Sequence, residues 1–364
     1  MRIAALSDED YMRLALDLAE RGRLTARPNP MVGAVVVKSG RVVGSGFHER
    51  PGTGHGEVQA FADVPDAVAL GSTVYVNLEP CDFTGRTPAC SELLVRKQVA
   101  RVVSAMEDPD SRVAGCGHKR MREAGIDVVV GVLTGQAERL NAAYLKHRRF
   151  GRPYVTLKIA QSIDGSTATS SGDSRWITGM SARKRGHALR AESQAVAVGI
   201  GTVLVDDPEL TVRHVEGDHP IKVVFDSHLR IPIYAKVLDG ENCIVCAGAD
   251  ADAGRIDRLR ERGVEVWQSE SRDGRPDIDS VLGRLAERDI IHVLVEGGST
   301  LASGFLTQKA VDRVAVFTAH KMIGGNPSVP SVGIETMQDA ITLENVEEES
   351  LGPDRLVLAN VRYA

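Results

Sequence analysis

A histidine, a glutamate and two cysteines in the first third of the chain have the types and spacing of a hydrolytic metal site. Glu57 follows His55 by two residues, and Cys81 and Cys90 lie further along. Zinc takes nitrogen and sulfur ligands, and a catalytic zinc keeps one position open for water. Three ligands from His55, Cys81 and Cys90 would leave that position free. Glu57 could then carry a proton from the water to a leaving amine, which is how an amino group is hydrolysed from a nucleobase ring.

The alternatives are a closed structural zinc site or unrelated thiols. Eight residues, rather than the two of the common deaminase signature, separate the cysteines. The local sequence nevertheless favours catalysis. An apolar run at 73–78 predicts a buried strand that leads directly into Cys81. Helices are predicted to begin just after His55 and near Cys90, where the positive ends of the helix dipoles favour thiolate over thiol.

Strands and helices alternate along the whole chain, which predicts an α/β protein. Its 364 residues suit two domains rather than one. In the first half we predict strands at 32–38, 41–47, 73–78, 100–106 and 126–130, and helices at 11–21, 118–124 and 136–147. In the second half we predict strands at 154–159, 195–199, 221–225, 243–246, 264–267, 290–295, 313–318 and 355–360, and helices at 181–192, 255–262, 277–288 and 300–308.

A basic, glycine-containing stretch at 146–153 marks the boundary between the halves. We therefore predict domains at residues 1–149 and 150–364. Runs of basic residues are usually solvated, and the charges of this stretch are expected to face water.

The second half contains a candidate anion site but no dinucleotide fingerprint. The predicted strand 290–295 leads into Glu296, Gly297 and Gly298 and then into a helix. Glycines there allow close backbone approach, and a helix N-terminus can hold a phosphate. The same pattern also occurs as a simple turn. Since no Gly-x-Gly-x-x-Gly is present, a Rossmann-type site is not favoured.

Composition excludes several classes of protein. The net charge of −5 gives no broad basic surface for nucleic acid. No apolar run approaches the length of a membrane span, and no signal peptide opens the chain. Five cysteines, an odd number, argue against a disulfide framework and for a reducing, cytoplasmic setting. Cys243 and Cys246 have redox-motif spacing, but they lie inside an apolar strand and are expected to be core thiols. Trp267 is expected to pack in the core.

Several motifs, taken in order, resemble the bifunctional riboflavin-biosynthesis deaminase/reductase family. The resemblance covers nearly the whole chain. It is carried by Pro28-Asn29-Pro30, His55-Gly56-Glu57, Glu79-Pro80-Cys81, Gly85-Arg86-Thr87-Pro88-Ala89-Cys90, Asp108-Pro109, Lys158-Ile159-Ala160, Ser174-Arg175-Trp176, Gly201-Thr202, Asp206-Asp207-Pro208, Leu210-Thr211-Val212-Arg213 and Val295-Glu296-Gly297-Gly298.

The resemblance implies two reactions on one phosphoribosyl pyrimidine. A cytidine-deaminase-like, three-layer α/β domain would deaminate a diaminopyrimidinone with Zn²⁺. A dihydrofolate-reductase-like domain would then reduce the ribose to a ribityl chain with NADPH. In the first domain, the resemblance implies that Glu57 is catalytic, that His55, Cys81 and Cys90 bind the metal, and that the substrate is lined by Asn29, His48, Arg86 and Asp108. Arg86 would meet the phosphate.

In the second domain, the resemblance divides the implied site residues between substrate and cofactor. The substrate would be lined by Lys158, Ser174, Arg190, Leu210, Arg213 and Glu296. NADPH would contact Ala160, Trp176, Thr202, Asp206 and Gly298. Lys158, Arg190 and Arg213 suit phosphate and sugar chemically, because charge-assisted hydrogen bonds to anions are strong.

Several first-domain residues depart from the family pattern. Asp82 and Phe83 stand where Ser and His are usual, Gln59 replaces a His, Asp110 replaces an Asn, and Cys116 replaces a basic residue. These departures leave open a paralogue that acts on a related phosphoribosyl or nucleoside-like pyrimidine. A reductase with a structural zinc module is a further alternative, although such a module would not need Glu57. Nucleic acid and membranes are not expected as partners. The chain is expected to form a homodimer.

Overall fold

The computed structural model of the chain describes residues 6–83, 88–110, 113–240, 242–269, 271–272 and 274–364. The chain divides into two compact units, Met1–Gly151 and Arg152–Ala364. Within the described ranges, no helix combines the length and apolar composition needed to cross a bilayer.

The first unit is a five-stranded sheet with helices packed on it. Its strands are β1 Gly33–Lys38, β2 Arg41–Phe47, β3 Thr73–Val76, β4 Arg101–Ser104 and β5 Asp127–Val130. Its helices are α1 Asp8–Glu20, α2 Gly56–Ala60, α3 Asp66–Ala69, α4 Cys90–Arg96, α5 Cys116–Glu123, α6 Thr134–Leu140 and α7 Ala142–Phe150. The strand order is β2-β1-β3-β4-β5, with β3, β4 and β5 parallel and β1 antiparallel to both of its neighbours.

Helix α2 lies unusually close to the sheet, and this closeness positions the candidate metal site. A Cβ atom added at Gly46 of β2 would come within 2.5 Å of the Ala60 backbone nitrogen in α2. Only glycine permits that approach. Since α2 begins immediately after His55, its contact with β2 places the histidine at the edge of the sheet.

The prediction of one helix at 136–147 is wrong, because two helices, α6 and α7, meet at Asn141. The Asn141 side chain accepts a hydrogen bond from Met31 N at 2.8 Å and donates one to Met31 O at 3.0 Å. Periodicity alone cannot reveal this break, since it depends on a partner 110 residues away.

The prediction that the basic stretch 146–153 faces water is wrong for two of its residues. Most of the stretch belongs to α7, in which His147 is buried with 9% of its surface exposed. The Arg148 side chain is 27% exposed and lies one turn after the buried Tyr144. Residues four apart share a helix face, so the apolar face of α7 carries Arg148 toward the domain.

The second unit has thirteen described strands, of which nine form one large sheet. Its strands are β6 Tyr154–Ser162, β7 Ser166–Ala168, β8 Ala195–Gly199, β9 Ile221–Phe225, β10 Cys243–Gly248, β11 Glu265–Ser269, β12 Ser271–Arg272, β13 Arg275–Pro276, β14 His292–Val295, β15 Arg313–Ala319, β16 Asn326–Pro327, β17 Thr342–Leu351 and β18 Asp354–Arg362. Its helices are α8 Met180–Ala191, α9 Ile200–Asp206, α10 Ala253–Glu261, α11 Ile278–Ala286 and α12 Ser299–Thr307.

The large sheet has the order β11-β10-β9-β8-β14-β6-β15-β18-β17. The strands from β11 to β15 are parallel, and β18 and β17 complete the sheet antiparallel. Both faces are buried: in β8, Val196 and Val198 enter one apolar cluster, and Ala195 and Ala197 enter another. Burial on both faces is the reason parallel strands read as continuous apolar runs, which made them predictable.

The core positions predicted in this unit are confirmed. Cys243 is 3% exposed, Cys246 is 0% exposed and Trp267 is 4% exposed. The two thiols lie on opposite faces of β10, in different apolar clusters, so they form no paired redox site. Strand β17 was not predicted, because its residues are almost all exposed and largely charged.

Candidate active sites

His55, Cys81 and Cys90 come together as a compact cluster in the first unit. His55 precedes the first residue of α2, and Cys90 is the first residue of α4. The His55 Nδ1 atom lies 3.5 Å from Cys81 Sγ and 3.3 Å from Cys90 Sγ. The predicted helix starts beside these two ligands are therefore confirmed. Cys81 follows the loop after β3, and its sulfur accepts a hydrogen bond from Cys90 N at 3.4 Å.

These three side chains fit a zinc ion. Their ligand atoms all lie within 4.8 Å of one another. With bond lengths of about 2.1 Å to nitrogen and 2.3 Å to sulfur, tetrahedral ligand atoms stand about 3.5 Å apart. The nitrogen–sulfur distances in the cluster match that value. Hydrogen bonding from Cys90 and from His55 lowers the pKa of Cys81, which favours the thiolate that zinc prefers.

Glu57 lies in the same pocket as the cluster, with 2% of its surface exposed. Burial, reinforced by the charge of Cys81, raises the pKa of Glu57 to about 7. Its Oε2 atom is buried and makes no hydrogen bond to any described residue. A buried carboxylate oxygen without a hydrogen bond destabilises the folded state, so its presence points to a catalytic role. The arrangement leaves this oxygen available to exchange protons with a molecule in the pocket.

His48 and Asn29 lie beside the cluster as a hydrogen-bonded pair. The Asn29 Nδ2 atom is 3.0 Å from His48 Nε2, and His48 Nδ1 is 3.3 Å from the carbonyl oxygen of Gly54. Since that carbonyl can only accept, Nδ1 carries the hydrogen and Nε2 accepts from Asn29. Burial lowers the pKa of His48, with the charge of His55 acting in the same direction. The imidazole is therefore neutral and holds the Asn29 amide in one orientation.

Asp108 is held on the pocket wall by groups that sequence reasoning did not find. The Tyr144 hydroxyl donates to Asp108 Oδ1 at 2.9 Å and is 3.1 Å from Oδ2. The backbone nitrogen of Asp110 donates to Asp108 Oδ1 at 2.9 Å. Burial raises the pKa of Asp108 to about 6. Glu79 supports the loop, because its carboxylate accepts from the backbone nitrogens of Asp108, Gly115 and His118.

Two asparagines fix the segment that carries Asn29. Asn77 donates to Met31 O at 2.9 Å and accepts from Gly33 N at 2.8 Å. Asn141 holds both polar groups of the Met31 backbone. No local signal marks either residue as part of a site, because each acts on a distant backbone.

The departures from the family pattern fall both inside and outside the pocket. Phe83 and Asp110 line it, whereas Gln59 and Cys116 are not among its described lining residues. Asp82 is structural: it accepts from the Ser91 hydroxyl at 2.5 Å and forms an ion pair with Arg120. Arg86, predicted to meet the phosphate, lies outside the described residues.

In the second unit, three predicted substrate residues, from the middle of β6, the end of α8 and the residue after β14, form one ionic cluster. Arg190 Nε lies 2.6 Å from Glu296 Oε1, and Arg190 Nη2 lies 3.0 Å from Glu296 Oε2. Lys158 Nζ is 3.4 Å from Glu296 Oε2. Burial alone would raise the pKa of Glu296, but the charges of Arg190 and Lys158 hold it down to about 2. The two cations against one carboxylate leave an excess positive charge that suits an anionic ligand.

The remaining predicted substrate residues are less tightly gathered. Arg213 is exposed and pairs with Glu209 at 2.6 Å, while its backbone nitrogen donates to His187 Nδ1 at 3.0 Å. Burial and the charges of Arg190 and Arg213 lower the pKa of His187 to about 4, so it is neutral. Leu210 is 2% exposed, and Ser174 is half-buried. His187 was missed by sequence reasoning, although it lies on α8 one turn before Arg190.

Four of the predicted cofactor residues lie near the carboxyl ends of the parallel strands, either at the end of a strand or in the segment that follows it. Ala160 is near the end of β6, Thr202 and Asp206 lie on α9 after β8, and Gly298 precedes α12 after β14. The Thr202 hydroxyl would be 3.8 Å from a Cβ atom at Gly298. Ligands of open α/β sheets bind outside the carboxyl ends of the strands.

The fifth, Trp176, is 62% exposed and follows Arg175, which contacts the carboxylate of Asp206 at 3.4 Å. A Cβ atom at Gly297 would lie 2.8 Å from the Leu301 side chain. The turn before α12 therefore requires glycine, and it presents backbone rather than side chain. This turn, the helix start after it and the exposed indole fit a phosphate-bearing dinucleotide such as NADPH.

Profiles of two protein families match the chain and define its class. The cytidine and deoxycytidylate deaminase zinc-binding region matches residues 6–106. The RibD C-terminal domain matches residues 153–357. The chain thus joins a zinc-dependent deaminase domain to a reductase domain, and these domain types imply zinc and NADPH as cofactors.

Curated relatives and solved structures are similar to this chain along nearly its full length. The chain is 40% identical to riboflavin biosynthesis protein RibD of Aquifex aeolicus over 98% of this chain and 99% of that protein. It is 39% identical to RibD of Escherichia coli over 96% and 98% of the two chains. RibD of Acinetobacter baumannii superposes with a TM-score of 0.87 at 36% identity, covering 98% and 99%.

A Thermotoga maritima diaminohydroxyphosphoribosylaminopyrimidine deaminase/5-amino-6-(5-phosphoribosylamino)uracil reductase superposes with a TM-score of 0.83 at 34% identity, covering 98% and 99%. The chain belongs to the RibD family of bifunctional riboflavin-biosynthesis enzymes. The fold class predicted from sequence is confirmed.

Proposed function

We propose that the chain deaminates 2,5-diamino-6-(5-phosphoribosylamino)pyrimidin-4-one and then reduces the ribosyl group to a ribityl chain with NADPH. Residues 1–149 would carry the first step and residues 150–364 the second. The observation that carries the proposal is the buried, unpartnered Glu57 oxygen in the pocket of the His55–Cys81–Cys90 cluster. A purely structural zinc module has no use for such a group, so this observation favours catalysis over the structural alternative.

In the first step, this chain's residues hold the pyrimidine and move protons. Zinc held by His55, Cys81 and Cys90 supplies Lewis acidity, which makes water nucleophilic near neutral pH. Glu57 Oε2 accepts the proton of the attacking water. It passes that proton to the ring nitrogen. It then takes the second proton of the same water from the newly added hydroxyl and passes it to the departing amine, so that ammonia leaves and a carbonyl oxygen remains. Asn29, oriented by His48, offers its amide to the ring, and Asp108 lines the substrate.

In the second step, Lys158 and Arg190 receive the phosphoribosyl group while Glu296 keeps both cations in place. Bound NADPH supplies the hydride. Ser174, Leu210 and Arg213 complete the proposed substrate wall, and Ala160, Trp176, Thr202, Asp206 and Gly298 the proposed cofactor wall.

The proposal is tested by mass spectrometry of purified protein incubated with the diaminopyrimidinone phosphate. Without NADPH, the only product should be the one in which oxygen replaces an amino group. With NADPH, the product should gain two further hydrogens. A protein that leaves this compound unchanged but converts a related pyrimidine would establish the specialised paralogue instead.

We expect Lys158→Ala to raise the KM of the reductase for its phosphorylated substrate about 10-fold, because a charge-assisted contact is lost. Deamination should stay unchanged, since Lys158 belongs to the second unit. Steady-state kinetics of each half-reaction measure both effects. Lys309→Ala, which removes an exposed lysine of the same unit, is the matched control. An equal loss of deamination in Lys158→Ala would contradict the assignment of the two steps to separate domains.

We also propose a homodimer working in the cytoplasm. All five cysteines are free thiols, which suits a reducing compartment. Ultracentrifugation of the purified protein would test the dimer.

A further inference from the structure

The pocket beside the His55–Cys81–Cys90 cluster is rich in carboxyl groups. Four carboxylates are among its described lining residues, namely Glu57, Glu79, Asp108 and Asp110. Arg148 is the one permanently charged cation in that described lining. A phosphorylated substrate brings further negative charge, and like charges at close range repel strongly away from bulk water. The pocket therefore needs a cation where the phosphate enters.

Two of these carboxylates are already engaged within the protein. Glu79 accepts three backbone amides, and Asp108 accepts the Tyr144 hydroxyl and the Asp110 amide. The Asp110 side chain, 8% exposed, faces a cation. Its Oδ2 atom lies 3.7 Å from Arg148 Nε. At that separation the charges attract, but the contact is too long for a hydrogen bond.

Arg148 is held in place without using up its donors. Its guanidinium carbon lies 5.5 Å from the centre of the Tyr144 ring, one turn earlier on α7. Its Nε is buried and makes no hydrogen bond to any residue that the structure describes. A guanidinium offers five N–H donors in a planar fork that matches a phosphate. Stacking and the charge of Asp110 thus position a fork with donor capacity to spare.

We propose that Arg148 is a substrate-binding residue of the deamination pocket, and that its guanidinium receives the phosphate of the phosphoribosyl group. Asp110 acts as a positioning residue that orients the fork. The inference rests on the proposed function, since it takes the phosphoribosyl pyrimidine as the substrate. It adds a phosphate contact from α7 to the one predicted for Arg86, which lies on a different segment.

The test compares deamination of the phosphorylated substrate with deamination of its dephosphorylated riboside. Arg148→Met keeps the length and apolar stem of the side chain. It should raise KM for the phosphorylated compound about 10- to 100-fold, the cost of a charge-assisted contact. KM for the riboside should change by less than about threefold. Arg148→Lys, which retains the charge but not the fork, should recover part of the loss.

Arg149→Met is the matched control, because Arg149 is the next residue of the same helix and pairs with Glu138 at 3.5 Å on the exposed surface. It should behave like wild type. Zinc content and reduction of pre-deaminated substrate verify that each variant is folded. In the Arg148→Met background, Asp110→Asn should lower KM for the phosphorylated compound again, because it removes a negative charge from the pocket that receives the phosphate.

An unchanged KM for the phosphorylated compound in Arg148→Met would overturn the inference. So would equal increases for the two compounds, which would mean that Arg148 only supports the fold. If Arg148→Met fails to fold, Arg148→Lys provides the test. A ratio of KM values for the two compounds equal to that of wild type in Arg148→Lys would refute a role for the planar fork. A wild-type protein that deaminates neither compound would refute the proposed function itself.

Discussion

Glu57→Gln is expected to deaminate the phosphoribosyl pyrimidinone about 100- to 10,000-fold more slowly than wild type, which is the usual contribution of a positioned proton-transfer group. The glutamine has the size of the glutamate but cannot accept the proton of the attacking water. Because Glu57 is buried in the pocket beside the metal cluster, no described neighbour is placed as it is to exchange that proton.

The measurement is the initial rate of ammonia release at saturating substrate. Reduction of the pre-deaminated compound by NADPH serves as the internal control and should match wild type. Zinc content should also be unchanged, since Glu57 is not among the clustered ligands. Deamination within a few-fold of wild type would refute the role proposed for Glu57.

The second large effect is expected from the metal ligands. Wild-type protein should contain about one zinc per chain, and a Cys81→Ala/Cys90→Ala double variant should lose it, because one nitrogen ligand cannot replace three ligands in a tetrahedral site. Without Lewis acidity, the attacking water stays a poor nucleophile. Deamination should fall by at least about 1,000-fold.

Metal analysis after dialysis and the rate of ammonia release measure the two effects. Cys116→Ala removes an exposed cysteine outside the cluster and should leave both unchanged. Full zinc retention in the double variant would show that the metal is bound elsewhere. Loss of zinc together with loss of folding of the first unit, judged by its thermal transition, would favour the structural zinc module.

The contacts of Asp82, Phe83 and Asp110 show what each departure from the family pattern does in the fold. An aspartate at 110, where the family usually has an asparagine, adds a negative charge to the pocket. In the fold, Arg148 faces it and provides the opposite charge. Asp82 ties the cysteine loop to α4 and α5 rather than facing a ligand. Phe83 is the one of these three that presents a changed, non-polar side chain to the pocket.

Residue types and local patterns were enough to predict the chemistry of the metal site and the order of the main elements. The imidazole of His55 and the thiol of Cys81 limit the choice of metal. Both ligands were predictable from their residue types and their sequence neighbours. Strands such as β8 and β10 were predictable because residues buried on both faces form continuous apolar runs. Residue type and apolar runs are both local properties of the chain, so they can be recognised in the sequence alone.

Contacts between charges that are distant along the chain could not be predicted, because they depend on how the elements pack. Arg190 and Glu296 are 106 residues apart, yet they form one buried ion pair. Arg148 stands in a basic run that resembles a solvated surface, but α7 turns it into the pocket beside Asp110. Asn141 divides a predicted helix because its amide binds the Met31 backbone, 110 residues away. Such contacts depend on how elements pack, and the energy of packing is shared among side chains that no local pattern brings together.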